Sequence, residues 1–318
     1  MTLIYLVLGA GLVLLFWSAD RFVDGAATIS RIFRVSPLLI GMLLIGFFTS
    51  LPELVVSLLA AQQHHHDFAL GNVIGSNIVN FSLVLGSMAL VHPVLVHSNV
   101  IRKELPILLA ITLLATLLMT DGTLSFADGW ILLGCFGVLL VWSLVQVRLS
   151  SDDALVQEVN ESFEKKQAKL NRAFFWLASG LLLMVVSSRM LVWGGLALAT
   201  RYQISDISVS LSLVAFGTSL PELASSLAAI RRKEDDLALG NLLGSNLFNT
   251  LAVLGASAMV EPLQVHHQLM GRDLPLCLLL TLTVFLVGFR FKRTPRVNRI
   301  AGSGLFIGYF VYLYFVVS

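Results

Sequence analysis

Long apolar runs, separated by short polar breaks, make up most of this chain. Several of them hold about 18 or more residues, enough for a helix to cross the roughly 30 Å hydrocarbon layer of a membrane. Hydrophobic residues account for 57% of the sequence and charged residues for only 13%, whereas a soluble domain carries about 25% charged residues. So few charges cannot cover a water-facing surface. We therefore predict an all-α integral membrane protein surrounded by a lipid bilayer.

The breaks between the runs predict ten transmembrane helices. They lie near residues 2–30, 36–61, 68–91, 104–120, 126–147, 171–198, 204–230, 237–260, 273–289 and 300–317. The polar stretch 149–170 separates five spans in 1–148 from five spans in 171–318 and is interpreted as a solvated cytoplasmic linker. No small-residue cleavage site follows the first run, so we interpret this run as a retained helix.

The two halves repeat each other at an offset of 169 residues. Thr-Ser-Leu-Pro-Glu occurs at 49–53 and again at 218–222. At the same offset, nine of the fourteen residues in 67–80 are identical to those in 236–249, and no gap is needed. Chance does not produce such a match, so we predict a duplicated fold.

Basic residues predict the orientation of the chain in the membrane. The loops after the odd-numbered spans hold seventeen Lys and Arg residues, and the other loops hold only Arg201 and Arg272. Because basic loops stay in the cytoplasm, both termini are expected in the periplasm. Five spans reverse the direction of the chain, so the second repeat should be inverted relative to the first, an arrangement common in secondary transporters.

Two glutamates lie deep within the apolar part of the sequence. Glu53 and Glu222 each follow a proline, and a carboxylate at membrane depth costs at least a few kcal/mol. The proline removes a backbone donor and frees the carbonyl four residues earlier, at Phe48 and Gly217. Irregular backbone of this kind survives in a membrane where it is buried or lines a wet cavity. We interpret both breaks as parts of one functional site.

Further oxygen-bearing side chains accompany each break. Ser76 and Asn80 are four residues apart and share a helix face, and Ser245 and Asn249 do the same. Close helix approach is expected at four glycines, Gly71, Gly75, Gly240 and Gly244. Ca²⁺ prefers six to eight oxygen ligands in irregular geometry, and two glutamates would neutralise one such ion. Smaller groups of the same oxygens could hold Na⁺.

At these motifs the sequence resembles a known family. Thr-Ser-Leu-Pro-Glu followed by Gly-Asn-x-x-Gly-Ser-Asn, present in both halves, resembles the alpha repeats of the calcium/cation antiporter superfamily, and most of all its bacterial inner-membrane sodium/calcium exchanger branch. The likeness is most specific at 46–86 and 215–255. It implies a sodium/calcium exchanger-like fold with a core of spans 2, 3, 7 and 8, past which spans 1 and 6 slide. It also implies Ca²⁺/Na⁺ exchange by alternating access in the inner membrane.

The resemblance implies a set of cation ligands. By position they are the side chains of Thr49, Ser50, Glu53, Ser76, Asn80, Thr218, Ser219, Glu222, Ser245 and Asn249, with the main-chain carbonyls of Gly46 and Ala215. Two residues depart from the family pattern. Many relatives, including potassium-dependent exchangers, carry aspartate where this chain has Asn249, which argues against K⁺ transport. Phe48 replaces a usual glycine, and its ring either narrows one Na⁺ pocket or faces lipid.

Other functions remain as alternatives. A proton-coupled Ca²⁺ antiporter would use the same fold, because a buried glutamate can exchange a proton as well as Na⁺. A membrane-embedded enzyme would need a catalytic motif that the chain lacks, and a midplane site between repeats favours a carrier over a passive channel. We expect inorganic cations as the only ligands, no cofactor, no nucleic acid and a functional monomer.

Some conspicuous residues are expected to lie outside the site. The three histidines at 64–66 suggest a metal site, but we favour a solvated loop. Asp20 and Asp24 are interpreted as solvated residues beside Arg21 and Arg31, with a role at the cytoplasmic entrance as the alternative. The two cysteines, Cys135 and Cys277, lie within apolar runs and are expected to pack there.

Overall fold

A computed structural model of the protein describes residues 2–96, 103–152, 163–201, 215–288 and 296–317, which are almost wholly helical. The helices are α1 Thr2–Phe33, α2 Pro37–Thr49, α3 Leu51–Gln62, α4 His66–Val91, α5 Leu105–Leu118, α6 Phe126–Asp152, α7 Phe163–Arg201, α8 Leu220–Arg231, α9 Asp235–Val260, α10 Leu274–Gly288 and α11 Arg299–Val317. The strands are β1 Val94–Leu95, β2 Thr123–Leu124, β3 Leu263–Gln264 and β4 Arg296–Val297.

Seven of the described helices are long and apolar enough to cross a membrane. They are α1, α4, α6, α7, α9, α11 and α10 with the turn before it, and an eighth crossing results if α2 and α3 count as one helix bent by 42°. The predicted span 104–120 appears as the 14-residue helix α5, and the predicted span 204–230 lies partly outside the described residues. The protein is therefore a multi-pass helical membrane protein.

Helices α4 and α9 occupy the centre of the bundle. In their most apolar windows, 83% and 100% of the residues are buried, against at most 33% in the other candidate spans. The outer helices instead expose large apolar side chains such as Val13, Trp130, Val138, Leu182 and Ile307. Such a surface suits lipid, so the buried polar groups along α4 and α9 lie away from lipid.

Helices α1 and α7 form a long pair at the side of this centre. They hold 32 and 39 residues, more than the roughly 20 that span a bilayer. Glycine permits their contact, since a Cβ on Gly25 would lie 2.7 Å from the carbonyl oxygen of Ala173. Helix α7 also begins within the predicted linker 149–170, and α6 ends within it, so helices enter that segment from both ends.

The described loops gather at two faces of the bundle. At one face, here called the β2 face, β2 pairs with β3, and the backbone N–H of Gln264 donates to Nδ1 of His66 over 3.0 Å. At the other, the β1 face, β1 pairs with β4, and the N–H of Leu95 donates to Asp235 over 3.2 Å. Helix α4 thus starts at the β2 face, where α9 ends, so the two equivalent helices run in opposite directions.

Ion pairs tie α1 to the core at the β1 face. The Arg232 guanidinium, just after α8, donates two 2.8 Å bonds to Asp20 and one 2.7 Å bond to Asp24. These bonds, and above all the hydrogen bonding to Asp20, raise the pKa of Arg232 above its usual value. Both aspartates are partly exposed, at 49% and 44%, in keeping with the expectation that they are solvated. The sequence analysis did not foresee Arg232, which the loop after α8 brings to Asp20 as a bidentate donor.

Candidate cation-binding site

Each repeat breaks its helix in the same way. The α2–α3 chain turns at Ser50 with φ −87° and ψ 6°, and Ser219 before α8 has φ −87° and ψ 5°. Proline follows within the first two helical positions in both cases, where its missing N–H costs nothing. The next residues, Glu53 and Glu222, thus stand in the first turn of α3 and α8, where the helix dipole favours negative charge.

The serine at each break hydrogen-bonds to the glutamate of the other repeat. The Ser50 hydroxyl donates to Oε1 of Glu222 over 2.9 Å, and the Ser219 hydroxyl donates to Oε1 of Glu53 over 3.2 Å. Both carboxylates are at most 1% exposed. Within the described part of the chain, no Lys, Arg or His side chain pairs with either glutamate. Two buried acids without a countercharge must either hold a proton or face a cation, because an unpaired buried charge costs several kcal/mol.

Two asparagines that the sequence analysis did not single out hold the breaks in place. Asn72 on α4 and Asn241 on α9 each donate a 3.2 Å bond to the main-chain carbonyl of the glutamate in their own repeat. Their side-chain oxygens accept from the threonine of the opposite repeat, Thr218 at 3.3 Å and Thr49 at 3.2 Å. Both are the asparagine of Gly-Asn-x-x-Gly in the duplicated motif, so their identity at the 169-residue offset was the signal available.

The asparagines that end the duplicated motif form a second cross-link. The Asn80 amide donates to Oδ1 of Asn246 at 3.5 Å, and the Asn249 amide donates to Oδ1 of Asn77 at 3.3 Å. Asn80 and Asn249 also begin π-helical turns, at Asn80–Val84 and Asn249–Val253. A π-helical turn shifts the register of the backbone and is frequent at functional sites. Asn77 and Asn246 were again missed by the sequence analysis.

The remaining predicted side chains lie in the same network. The Ser219 and Ser76 hydroxyls are 3.1 Å apart, and the Thr49 and Ser245 hydroxyls are 3.4 Å apart. The structure therefore brings the serine on each central helix to the break of the other repeat. Both serines are fully buried.

The main-chain carbonyls at the breaks already have hydroxyl partners. The Thr218 hydroxyl, whose single proton is shared with Asn72, is 2.9 Å from the carbonyl oxygen of Ala215, and Ser245 donates to the carbonyl of Gly46 at 3.3 Å. The carbonyl of Gly217, expected to be freed by proline, accepts a 2.5 Å bond from Ser188 on α7. An oxygen carries two lone pairs, so the carbonyls of Gly46 and Ala215 can still face a cation. Ser188 connects the long α7 helix directly to the break before α8.

Four oxygens at this centre have no hydrogen-bond donor. Among the described residues, seven buried side-chain oxygens lack a partner. Four of them belong to predicted ligands: Oε2 of Glu53, Oε2 of Glu222, Oδ1 of Asn80 and Oδ1 of Asn249. Buried polar atoms are otherwise nearly always satisfied, so this concentration is informative. The set holds two negative charges, two neutral amide oxygens and no donor, which is the ligand chemistry of a hard cation such as Ca²⁺ or Na⁺.

A cavity leads toward this centre from the β2 face. It has a volume of about 540 Å³ and is lined by residues that include Asp67, His266, Asn72 and Ala215. Asp67 and His266 form an exposed contact between carboxylate and imidazole, whereas Asn72 is buried beside the break. The cavity therefore offers water a route from the loops of this face to the Ala215 end of the site.

The histidines of 64–66 lie at the β2 face, where Nδ1 of His64 is 3.3 Å from Oε1 of Glu261. No described contact joins them to Glu53 or Glu222, so they lie outside the carboxylate site, as expected from the sequence. Phe48 is partly buried and packs edge-on against Phe47, with ring centroids 5.3 Å apart. It belongs to the apolar surroundings of the break, and Phe47 in turn contacts Phe248 on α9.

Comparison with known proteins identifies the family of this transporter. The sequence model of the family described as "Sodium/calcium exchanger protein" matches residues 3–145 and 172–318. The chain belongs to this family. The resemblance noted in the sequence is thereby confirmed, and so is the expectation that the chain is a cation antiporter and not an enzyme.

Similar proteins cover nearly the whole exchanger chain. The inner membrane protein YrbG of Escherichia coli (strain K12) is 39% identical over 309 residues, 95% of this chain and 93% of YrbG. The sodium/calcium exchanger MaX1 of Methanosarcina acetivorans is 28% identical over 334 residues, 92% of this chain and 94% of MaX1. The fold is similar to that of the sodium-calcium exchanger NCX_Mj soaked with 2.5 mM Na⁺ and 1 mM Sr²⁺, with a TM-score of 0.84 and 30% identity over 98% of both chains.

Proposed function

We propose that this exchanger-family protein moves Ca²⁺ against Na⁺ across the inner membrane by alternating access. The observation that carries the proposal is that Glu53, Glu222, Asn80 and Asn249, all in the duplicated motifs, each bury one oxygen without a donor. The names of MaX1 and of NCX_Mj, and the Na⁺ and Sr²⁺ in which NCX_Mj was soaked, support the same pair of ions. Sr²⁺ is a divalent, oxygen-seeking ion like Ca²⁺.

The proposed chemistry is competition for shared oxygens. One Ca²⁺ neutralises both glutamates at the centre and takes further oxygens from the two asparagines. Na⁺ carries one charge, so several Na⁺ ions replace it, some on the carboxylates and others on flanking groups. The proposed flanking ligands are hydroxyl and carbonyl oxygens of Thr49, Ser50, Ser76, Thr218, Ser219, Ser245, Gly46 and Ala215. Binding of Na⁺ at the shared oxygens then expels Ca²⁺.

The proposed architecture has ten spans in two inverted five-helix repeats, 1–148 and 171–318, joined by the cytoplasmic linker 149–170. The antiparallel course of α4 and α9 and the crossed hydrogen bonds between repeats support it. Helices α1 and α7 would slide past the core to open the site first to one side and then to the other. The duplicated core completes the site within one chain, which supports a functional monomer. The β1 face, with its basic loops, would be cytoplasmic and both termini periplasmic.

Proton coupling is the second candidate, and one feature of the site favours it. Oε1 of each glutamate accepts a hydrogen bond from a serine hydroxyl, and Oε2 has no partner. A proton on Oε2 would therefore neutralise the acid without breaking the hydrogen bond from the serine. Ca²⁺ exchange for two protons would then be electroneutral.

Transport into sealed vesicles separates the two candidates. Purified protein is reconstituted, and ⁴⁵Ca²⁺ uptake is measured with an imposed Na⁺ gradient at equal pH or an imposed pH gradient without Na⁺. We expect uptake driven by the Na⁺ gradient alone. Uptake driven by the pH gradient with Na⁺ absent would replace this proposal with proton coupling, and no uptake under either gradient would contradict Ca²⁺ as the cargo.

A further inference from the structure

Three metal-ligating side chains meet on the β2 face, away from the carboxylate centre. His64 lies in the turn between α3 and α4, His66 is the first residue of α4, and Glu261 follows α9. One ligand atom of each lies within 4.8 Å of those of the other two, and Nδ1 of His64 is 3.3 Å from Oε1 of Glu261. Donors about 2.1 Å from a tetrahedral ion are about 3.4 Å apart, so small side-chain rotations would bring all three onto one ion.

We propose that His64, His66 and Glu261 bind a divalent transition-metal ion of the Zn²⁺ class. Two imidazoles and one carboxylate are a common ligand set for Zn²⁺, with water completing the tetrahedron. Imidazole nitrogen is a poor ligand for Ca²⁺ and Na⁺, which prefer oxygen, so this site would not take the transported ions. The site is a structural or regulatory one and does not depend on the proposed transport function.

Among the described residues, this ligand set is found at only one face of the duplicated fold. At the 169-residue offset, His64 corresponds to Lys233 and Glu261 corresponds to His92. Both turn residues have the same left-handed backbone, φ 59° at His64 and φ 60° at Lys233, so the fold dictates the turn. A protonated lysine has no lone pair to give a metal. The side chains at the β2 face are thus specific to that face.

Binding would replace one hydrogen bond with a link between the repeats. Nδ1 of His66 now accepts a 3.0 Å bond from the N–H of Gln264. A metal-bound imidazole carries its remaining proton on the other nitrogen and cannot accept there, so this bond is lost when the ion binds. In return, the ion joins the α3–α4 turn of the first repeat to the segment after α9 of the second. An ion that binds only the folded state stabilises it.

Direct binding measurements test the site. Full-length protein without a polyhistidine tag is dialysed against ⁶⁵Zn²⁺ at pH 7.5 with excess Ca²⁺. We expect one Zn²⁺ per chain and a higher melting temperature with Zn²⁺. His64→Asn, which tolerates the left-handed backbone, and His66→Gln should each weaken binding at least tenfold. His65→Gln is the matched control, because His65 is exposed in the same turn but outside the cluster, and its affinity should stay within twofold.

Two outcomes would overturn the proposal. The first is an equal loss of Zn²⁺ binding in His65→Gln, which would show nonspecific capture by the histidine run. The second is loss of Zn²⁺ from the double variant Glu53→Gln/Glu222→Gln, which would place the ion at the carboxylate centre. X-ray absorption at the zinc edge should show two imidazole nitrogens in wild-type protein, whatever the outcome of the transport assays.

Discussion

Glu53 and Glu222 are the only acidic side chains that we assign to the candidate site among the described residues, and each has one oxygen without a donor. Glutamine keeps the shape of either side chain and removes its charge. At about 4 Å and an effective dielectric constant near 20, one charge–charge attraction is worth about 4 kcal/mol, and Ca²⁺ is divalent. We expect Glu53→Gln and Glu222→Gln each to reduce Ca²⁺ affinity by roughly a thousandfold or more and to abolish ⁴⁵Ca²⁺ exchange, while the protein remains in the membrane.

Glu104→Gln is the control for these variants. Glu104 is also buried, at 4% exposure, and also has an unpartnered carboxylate oxygen, but it lies outside both repeats' motifs. Its variant should retain most of the exchange activity. Near-normal exchange by Glu53→Gln or Glu222→Gln would remove the carboxylates from the ligand set.

At the scale of single residues, the duplicated motifs predicted which polar side chains would meet, and the structure brings them together around the two breaks. Their ion binding stays a prediction. The sequence analysis missed Asn72 and Asn241 although both lie in the quoted motif. Spacing along one helix shows which residues share a face, but it cannot show that an amide reaches a carbonyl on another helix. Those 3.2 Å contacts depend on how α3 packs on α4 and α8 on α9, and this packing is a property of the tertiary structure.

At the scale of helices, Gly244 sets how closely α9 approaches α2. A Cβ at this position would collide with the backbone of Met42, which cannot move aside as a side chain could. Overpacking of this kind costs about 1–3 kcal/mol. Gly244→Ala should therefore lower the melting temperature in detergent by several degrees and weaken exchange. In Gly137→Ala on α6, the new Cβ meets no described atom within 4 Å, so this control should melt at the wild-type temperature or above.

Helix α1 is also held at the β1 face by Arg232. Because Asp20 and Asp24 are 49% and 44% exposed, we assign the pairs together only about 1 kcal/mol, which is about a fivefold change in an equilibrium. Asp20→Asn/Asp24→Asn should free this end of α1, which is expected to slide during transport. Hydrogen exchange of the α1 backbone near residues 20–33 should become faster, and the rate of ⁴⁵Ca²⁺ exchange should change by a few-fold. Unchanged hydrogen exchange would show that these ion pairs do not hold α1.

The sequence predicted the helix breaks better than the helical irregularities. Proline before Glu53 and Glu222 marks the break in each repeat, because its ring excludes a normal helical turn. The π-helical turns that begin at Asn80 and Asn249 carry no such signature. A π-helical turn inserts one residue but requires no particular residue type, and tertiary contacts decide its position.

For the whole molecule, the distribution of basic residues predicts both ends outside the cytoplasm. The described loops are grouped as this prediction requires, because the loops after α1, α4 and α8 meet at one face of the bundle, the β1 face. A C-terminal fusion to alkaline phosphatase, which is active only in the periplasm, should therefore be active. A fusion to green fluorescent protein at the same end, fluorescent only in the cytoplasm, should be dark. The reverse pattern would contradict ten spans with both termini outside.

The charge of the centre as a whole determines which ions it can hold together. Two carboxylates match one Ca²⁺, and an amide at position 249 adds an oxygen without a charge. No negative charge is then left for a second permanent cation, so we expect K⁺ to have no effect on exchange. Asn249→Asp would add a third charge and would also remove the amide that donates to Asn77. This variant should bind cations more tightly, respond to pH, or become sensitive to K⁺.

Paired vesicles test this argument, with ⁴⁵Ca²⁺ flux driven by a Na⁺ gradient and K⁺ either present or replaced by choline. The wild-type protein should give equal fluxes, and Asn249→Asp should give a K⁺-dependent or pH-dependent flux. Asn77→Asp is a useful companion, because its oxygen accepts a hydrogen bond from Asn249 and is therefore not one of the donor-free oxygens. A charge placed there should alter exchange less than a charge at position 249. A K⁺ requirement in the wild-type protein would show that two carboxylates do not limit the centre to one divalent cation.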